Sequence, residues 1–429
     1  MTQAQDQVFA KCAKRLIPFL MVLYFVNYLD RVNVGFAALT MNKDLGFSPS
    51  VYGAAASIFF VSYAMFQIPA TIFVERMGHR LGIALVMAIW GAVSASTALV
   101  HEPYGFYTAR FLLGVAEAGF FPGMILYLTF WFPRDYRARF TAIFMTAIPL
   151  SATFGGPLSS LLLELDGIWG LKGWQWLFLV EGLPACMLAL VVLGYLPDGP
   201  AKARFLSPAE KDTIATRLEA ERPTAPASIW PAIFDARVWL LGLVGTGINS
   251  AIFGTQLWMP LIIKSLGHSN LATGFIIAVP YMIGIAIMIL VGRASDKRGE
   301  RAMFVAASLA VAVCGFLIAA TATNPYVEIG GLCIVVMGIV GHYGPYYTLS
   351  SSFFAGRAAP ASIAAVNVLC TGLGGFIGPN LIGLLKQWTG GYAAGMGALA
   401  AGLCISIALV LTLRRVMAAR AAAPAIVAG

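Results

Sequence analysis

The chain alternates long apolar runs with short polar breaks, and the runs lack the two-residue alternation of half-buried strands. Twelve runs reach the roughly 20 residues that carry a helix across a bilayer. They cover about 16–38, 51–74, 82–100, 103–132, 140–163, 174–196, 238–263, 271–292, 302–321, 326–354, 361–385 and 391–413. Backbone polar groups in lipid must bond within their own segment, which selects helices. Barrel strands would alternate apolar and polar positions. The pattern predicts an all-α integral membrane protein with twelve transmembrane helices. Residues before the first run are polar, and that run is too long for a signal-peptide core and has no small-residue cleavage site, so the first helix is expected to stay as a membrane anchor.

One stretch, 197–237, breaks the rhythm. It opens "PDGPAKARF", continues "SPAEKDTIATRLEAER" and ends in "PTAPASIWP". Ser207 followed by Pro208 and Glu210 is an N-cap with proline at the first helical position and glutamate at the third. This predicts a linker with a short amphipathic helix between two bundles, 1–196 and 238–429. The two halves repeat. Glu75, Arg76, Gly78 and Arg80 in "VERMGHRLG" each stand 221 positions before Asp296, Lys297, Gly299 and Arg301 in "SDKRGERAM". A carboxylate beside basic residues in a glycine turn can bond a neighbouring helix end, so these six charged residues are expected to act as a conformational latch. The fold class is therefore two pseudo-symmetric six-helix bundles, an arrangement used by transporters.

Composition agrees: 59% of residues are hydrophobic and 11% charged, where a soluble domain carries roughly 25% charged residues. The net charge of +9 first suggests a nucleic-acid partner, but its distribution gives another origin. Of 28 lysines and arginines, 22 fall in segments on the N-terminal side of the membrane. Only Lys43, Lys172, Lys264 and Lys386 fall opposite, and Arg31 and Arg110 lie within helices. The positive-inside rule then places both termini in the cytoplasm of a multi-pass inner-membrane protein. No nucleic-acid partner is expected, and a monomer is. The six cysteines form no metal or disulfide pattern. Neither a P-loop nor an HExxH site occurs, so no cofactor or metal is expected.

Four ionisable residues lie deep in apolar runs: Asp30, Arg31, Arg110 and Glu117. Each costs roughly 2.5–3.5 kcal/mol at the bilayer centre on insertion scales, and such groups face a cavity and pair. Arg110, Gly114 and Glu117 share one face of the fourth helix, where the glycine admits a close neighbour. Adjacent Asp30 and Arg31 project about 100° apart, so they do not pair with each other. Tyr24, Asn27, Tyr28 and Arg31 form one polar stripe, expected to face a substrate path. Asp30 lies on the next stripe and is expected to turn to another helix, the fourth. Arg31 and Arg110, with Tyr28, suit an anion's binding, since guanidinium holds carboxylate in a fork. Asp30 and Glu117 suit proton coupling: an anion that takes an arginine from a carboxylate raises that carboxylate's proton affinity. The rival reading of the same four residues is a permanent ion network. Asn249 and Gln256, one face of the seventh helix, suit a substrate's hydroxyls. Glu181, in the sixth helix, reads as structural.

The repeated loop resembles the G-x-x-x-D-[RK]-x-G-[RK]-[RK] loop of the major facilitator superfamily. Its second copy keeps Gly292 and Asp296, and its first has Thr71 and Glu75 instead. "NYLDRVNVGFA", "RFLLGVAEAGFFPGMILYLTFWFP", "GWQWLFLVEGLPA" and "GPNLIGLLKQWTG" resemble that superfamily's anion:cation symporter branch. The resemblance implies proton symport of a small organic carboxylate (sugar acid, tartrate-like or aromatic) by alternating access. It also implies cavity roles for Tyr63 and Asn367, and a tenth helix with His342, Tyr346 and Tyr347 where members vary by substrate. The alternative is a proton-antiporting exporter of the same fold: Gly156-Pro157 in "FGGPLSS" resembles the antiporter G-x-x-x-G-P-x-x-G-G pattern, whose last glycines are absent here. A receptor or enzyme lacks support, since no signalling domain or nucleophile arrangement is present.

Overall fold

A computed structural model describes residues 3–221, 234–354 and 359–422. The linker's "PTAPASIWP", with Arg222, Arg357 and the last residues, lies outside the described residues. Helices follow the apolar runs, and among the described residues there is no strand. The first run lies in α1 (Gln3–Asp44) and the next two in α2 (Pro49–Met77) and α3 (His79–Ser96). The fourth is α4 (Pro103–Glu117) with α5 (Phe120–Thr129), and the fifth is α6 (Arg134–Met145) with α7 (Ala147–Leu163). The sixth is α8 (Gly173–Tyr195), and the linker holds α9 (Pro208–Glu219). The remaining six runs begin with α10 (Ala236–Ser265), α11 (Asn270–Arg298) and α12 (Ala302–Thr321). They end with α13 (Pro325–Gly341) continued by α14 (Tyr343–Phe353), then α15 (Ala359–Thr389) and α16 (Ala393–Ala422). Eleven of the spans are long and apolar enough to cross a membrane, and α1 supplies the twelfth run with Asp30 and Arg31 inside it.

Three runs that read as continuous are broken, at Ala118–Gly119, Thr146 and His342. Each break stands three or four residues before a proline: Pro122, Pro149 and Pro345. Proline removes the N–H that would bond back one turn, and its ring clashes with the carbonyl there. Other prolines, such as Pro69 and Pro280, sit inside unbroken helices, so proline permits these breaks without being sufficient for them. Two of the breaks fall beside ionisable residues, Glu117 and His342.

The 221-residue repeat reappears as matched geometry. Gly78 and Gly299 both have positive φ, 85° and 67°, where glycine alone escapes strain. Each N–H donates to a carbonyl three residues back, Glu75 O and Asp296 O, at 3.3 Å in both. A second pair of loops repeats at the same offset, a signal present in the sequence as Leu45-Gly46-x-Ser48 and Leu266-Gly267-x-Ser269. Gly46 and Gly267 both have positive φ. Ser48 Oγ accepts from Val51 N–H at 3.3 Å, and Ser269 Oγ from Ala272 N–H at 3.1 Å.

The chain divides into two compact units. The first comprises 1–47, 58–226 and 269–278, the second 48–57, 227–268 and 279–429. The exchanged segments, Ser48–Ser57 and Ser269–Ala278, are themselves 221 positions apart. Within the second unit, Tyr52 Oη donates to Leu257 O at 2.7 Å and its ring meets Trp258 edge-on. Within the first, a Cβ on Gly274 would lie 2.4 Å from Gly156 O, so the backbones cross there with no room for a side chain.

In the linker, Ser207 Oγ accepts from Glu210 N–H at 3.3 Å while Ser207 N–H donates to Glu210 Oε2 at 2.7 Å, the reciprocal cap expected from the sequence. Lys11 Nζ of α1 donates to both oxygens of Glu210 at 2.8 and 2.9 Å. These Lys11 bonds, and then the Ser207 N–H, hold the Glu210 carboxyl below its ordinary 4.5. A lowered value means the docking of α9 on α1 is complete above pH 4.5 and is lost as pH falls through the lowered value. Protection of 208–219, corrected for the intrinsic pH dependence of amide exchange, should therefore fall on acidification below that point, and Lys11→Met should weaken that dependence.

Candidate functional site

The ionisable residues of the first six runs converge inside the first unit. Arg31 of α1 is 6% exposed and Glu117, the last residue of α4, is fully buried. Arg31 Nη2 donates to Glu117 Oε2 at 2.9 Å, and Asn27 Nδ2, one turn earlier on α1, donates to the same oxygen at 3.1 Å. Spacing of four along α1 thus sets two donors side by side. The guanidinium lies 4.7 Å from the ring centre of Tyr63, 5.5 Å from Phe59 and 5.9 Å from Tyr28. Rings at that range attract a cation through their faces. Arg31 Nε and Glu117 Oε1 are buried with no hydrogen-bond partner among the described residues, leaving one donor and one acceptor for a ligand. Arg110, fully buried, lies over Phe59 at 4.8 Å, near enough for its charge to act on Glu117. Gly114 between them abuts Phe59 and Ser62 of α2, the close approach its position implied.

Asp30 differs from expectation. It turns to α3, not to the fourth helix: Oδ1 accepts from Ser94 Oγ and, at 2.9 Å, from Asn33 Nδ2 of its own helix. The 100° step from Arg31 carries it past α4 to the face where Ser94 offers a hydroxyl. It does not pair with Arg31.

Within the second unit, Asn249 and Gln256 lie on α10 and Asn367 on α15, all half-buried. A Cβ on Gly374 of α15 would come within 2.6 Å of Asn249 Cβ, so the two helices press together at that residue. His342 is buried at the break between α13 and α14, with Nδ1 against Ile339 O. Tyr346 Oη donates to Leu241 O at 3.1 Å.

The repeated loops use partners beyond the six charged residues. Arg301 Nη1 meets Asp296 Oδ1 at 2.6 Å, and neighbouring Glu300 receives Arg414 of α16 at 2.9 Å. In the first copy Arg80 N–H donates at 3.1 Å to Asp198, which also takes Lys202 Nζ at 3.3 Å. Burial opposes ionisation of Asp198, but the Arg80 N–H and Lys202 hold its carboxyl below the ordinary value. Glu75, Arg76 and Lys297 are exposed. Asp198 was not legible as a partner, because nothing in "PDGP" marks which helix start it reaches. Asn33 and Glu181 carried a signal, three residues from Asp30 and a charge within a span, that a structural reading passed over.

The Major Facilitator Superfamily profile matches residues 20–379. A protein of Agrobacterium vitis named "Putative tartrate transporter" is 46% identical over 96% of this chain and 95% of its own length. A quinolone resistance transporter of Acinetobacter baumannii is 38% identical over 89% of each chain. The crystal structure of a bacterial homologue of the human lysosomal transporter Spinster, inward-facing and occupied, superposes with TM-score 0.76 at 16% identity, covering 93% of this chain and 96% of that one. Twelve helical spans, a twice-made loop with glycine at its turn, and a profile match across most of the chain agree: the protein belongs to the Major Facilitator Superfamily and is a membrane transport protein, not an enzyme.

Proposed function

We propose that the protein imports a small organic carboxylate together with protons, by alternating access of the bundles 1–196 and 238–429. The observation that carries this reading is the buried Arg31–Glu117 pair, boxed by Tyr63, Phe59 and Tyr28, with a spare Arg31 donor. A substrate carboxylate that takes Arg31 releases Glu117, whose proton affinity then rises, so anion and proton bind together. Arg110 supplies further positive charge, and Asn249, Gln256 and Asn367 read hydroxyls or a second acid group. The loops at Glu75–Arg80 and Asp296–Arg301 act as the latch. The Lys and Arg distribution supports an inner-membrane protein with both termini in the cytoplasm, which we take to act as a monomer. Kinship with a tartrate-named relative supports a hydroxy acid, while the aromatic box also admits an aromatic acid.

Reconstituted protein under an inward proton gradient, offered a panel of carboxylates, should show substrate-dependent proton entry. Export of lipophilic cations with no response to any carboxylate would replace this reading with a proton-antiporting exporter. That second reading is favoured by the quinolone-named relative and opposed by two buried arginines. Glu117→Gln should still bind the carboxylate but lose gradient-driven accumulation. Unchanged pH-driven uptake in both Glu117→Gln and Asp30→Asn would leave these residues a structural network.

A further inference from the structure

We infer that Asp30, Asn33 and Glu181 form a second, proton-sharing site inside the first unit, distinct from the Arg31–Glu117 pair. Asp30 and Asn33 are fully buried and Glu181 is 3% exposed. Asp30 Oδ2, Asn33 Oδ1 and Glu181 Oε2 are each buried without a hydrogen-bond partner, and all three are acceptors unless a proton is added. Asn33 stands against both acids, donating to Asp30 Oδ1 at 2.9 Å and facing Glu181. The other oxygen of Glu181 accepts from Ser159 Oγ at 2.7 Å.

Among the described residues no ion pair joins a cation to either carboxyl. Their bonded partners are the amide of Asn33 and the hydroxyls of Ser94 and Ser159, all neutral. Among the groups whose charge or bonding reaches Asp30, the acid Glu117 acts from α4 at a distance, α3 contributes Trp90 and Ser94, and α8 contributes the Cys186 thiol. Glu181 in turn feels the Asp30 charge, and α7 contributes Ser159 among the described residues. Arg31, next to Asp30 in sequence, pairs with Glu117. Two uncompensated carboxylates buried side by side are strongly disfavoured, so the pair holds a proton. Taking up one proton converts a carboxylate to a carboxylic acid and gives this acceptor-rich cluster an O–H donor. The Asn33 amide stands against both acids, so a proton on either carboxyl is felt by both.

The assignment leans on the symport reading only for its use, since the site exists whether or not carboxylate is the cargo. The test is therefore spectroscopic and substrate-free: infrared difference spectra of the reconstituted protein across a pH jump. Buried carboxylic-acid carbonyl bands are expected, with one component lost in Glu181→Gln and the remaining Asp30 component shifted. Ser159→Ala, which keeps both acids, should move the midpoint of the band's titration. A band unchanged in Glu181→Gln, or one that sodium removes at constant pH, would overturn the proposal. Failure of the symport reading would show separately, as carboxylate-independent proton flux with these bands intact.

Discussion

Replacing Arg31 with alanine should abolish carboxylate uptake and destabilise the protein by about 3–5 kcal/mol. The magnitude follows from what remains. Glu117 is fully buried, and its ion-pair partner is the Arg31 guanidinium at 2.9 Å. Removing one member of a buried pair strands the other charge, a far larger penalty than the pair's own net worth. The loss also empties the space between Tyr63 and Phe59 that the guanidinium fills. Arg31→Lys separates the two contributions: it restores a charge near Glu117 but not the planar fork or the stack on Tyr63, so stability should recover more than uptake. Thermal unfolding in detergent beside uptake in vesicles decides the matter. A folded Arg31→Ala protein that still accumulates carboxylate would reduce the pair to scaffolding.

The second large effect is expected from a single methyl group. A Cβ on Gly114 would lie 2.1 Å from Ser62 Oγ and 2.3 Å from Phe59 O. The serine hydroxyl can rotate aside, but the Phe59 carbonyl belongs to the backbone of α2, so α2 or α4 must move. Overpacking of this kind costs roughly 1–3 kcal/mol, and a backbone obstacle places Gly114→Ala at the upper end. The displacement does not stay local, because the Phe59 ring covers both Arg110 at 4.8 Å and Arg31 at 5.5 Å. Uptake should fall with stability. Gly105 on the same helix is the control: an added Cβ there would meet nothing nearer than 3.9 Å, so Gly105→Ala should be tolerated. Equal losses from both substitutions would mean that helix composition, not the contact with α2, sets the effect.

Much of this architecture was legible because lipid imposes one dominant pattern: an apolar run of fixed length must be a helix. The run from 302 to 321 agrees with α12 to the residue. The broken spans were not legible from hydropathy, since the runs stay apolar through Ala118 and through Thr146, and only the placement of Pro122 and Pro149 betrays the stops. Helical geometry correctly kept Asp30 and Arg31 from pairing, and it set Asn27 beside Arg31. It could not say which neighbour Asp30 would meet, because the order of helices around α1 is a tertiary fact. The same gap hid Glu181, whose partner Ser159 lies on another helix.

The adjacency of Asp30 and Arg31 has a mechanical consequence. An α-helix is a stiff shaft, and these residues are two cams fixed on it about 100° apart. One bears on Glu117 of α4, the other on Ser94 of α3. Any turn of the shaft that follows one contact drives the other through the same angle. An event at the guanidinium thus reaches the acid behind it by torque along a single residue step, with no chain of intermediaries.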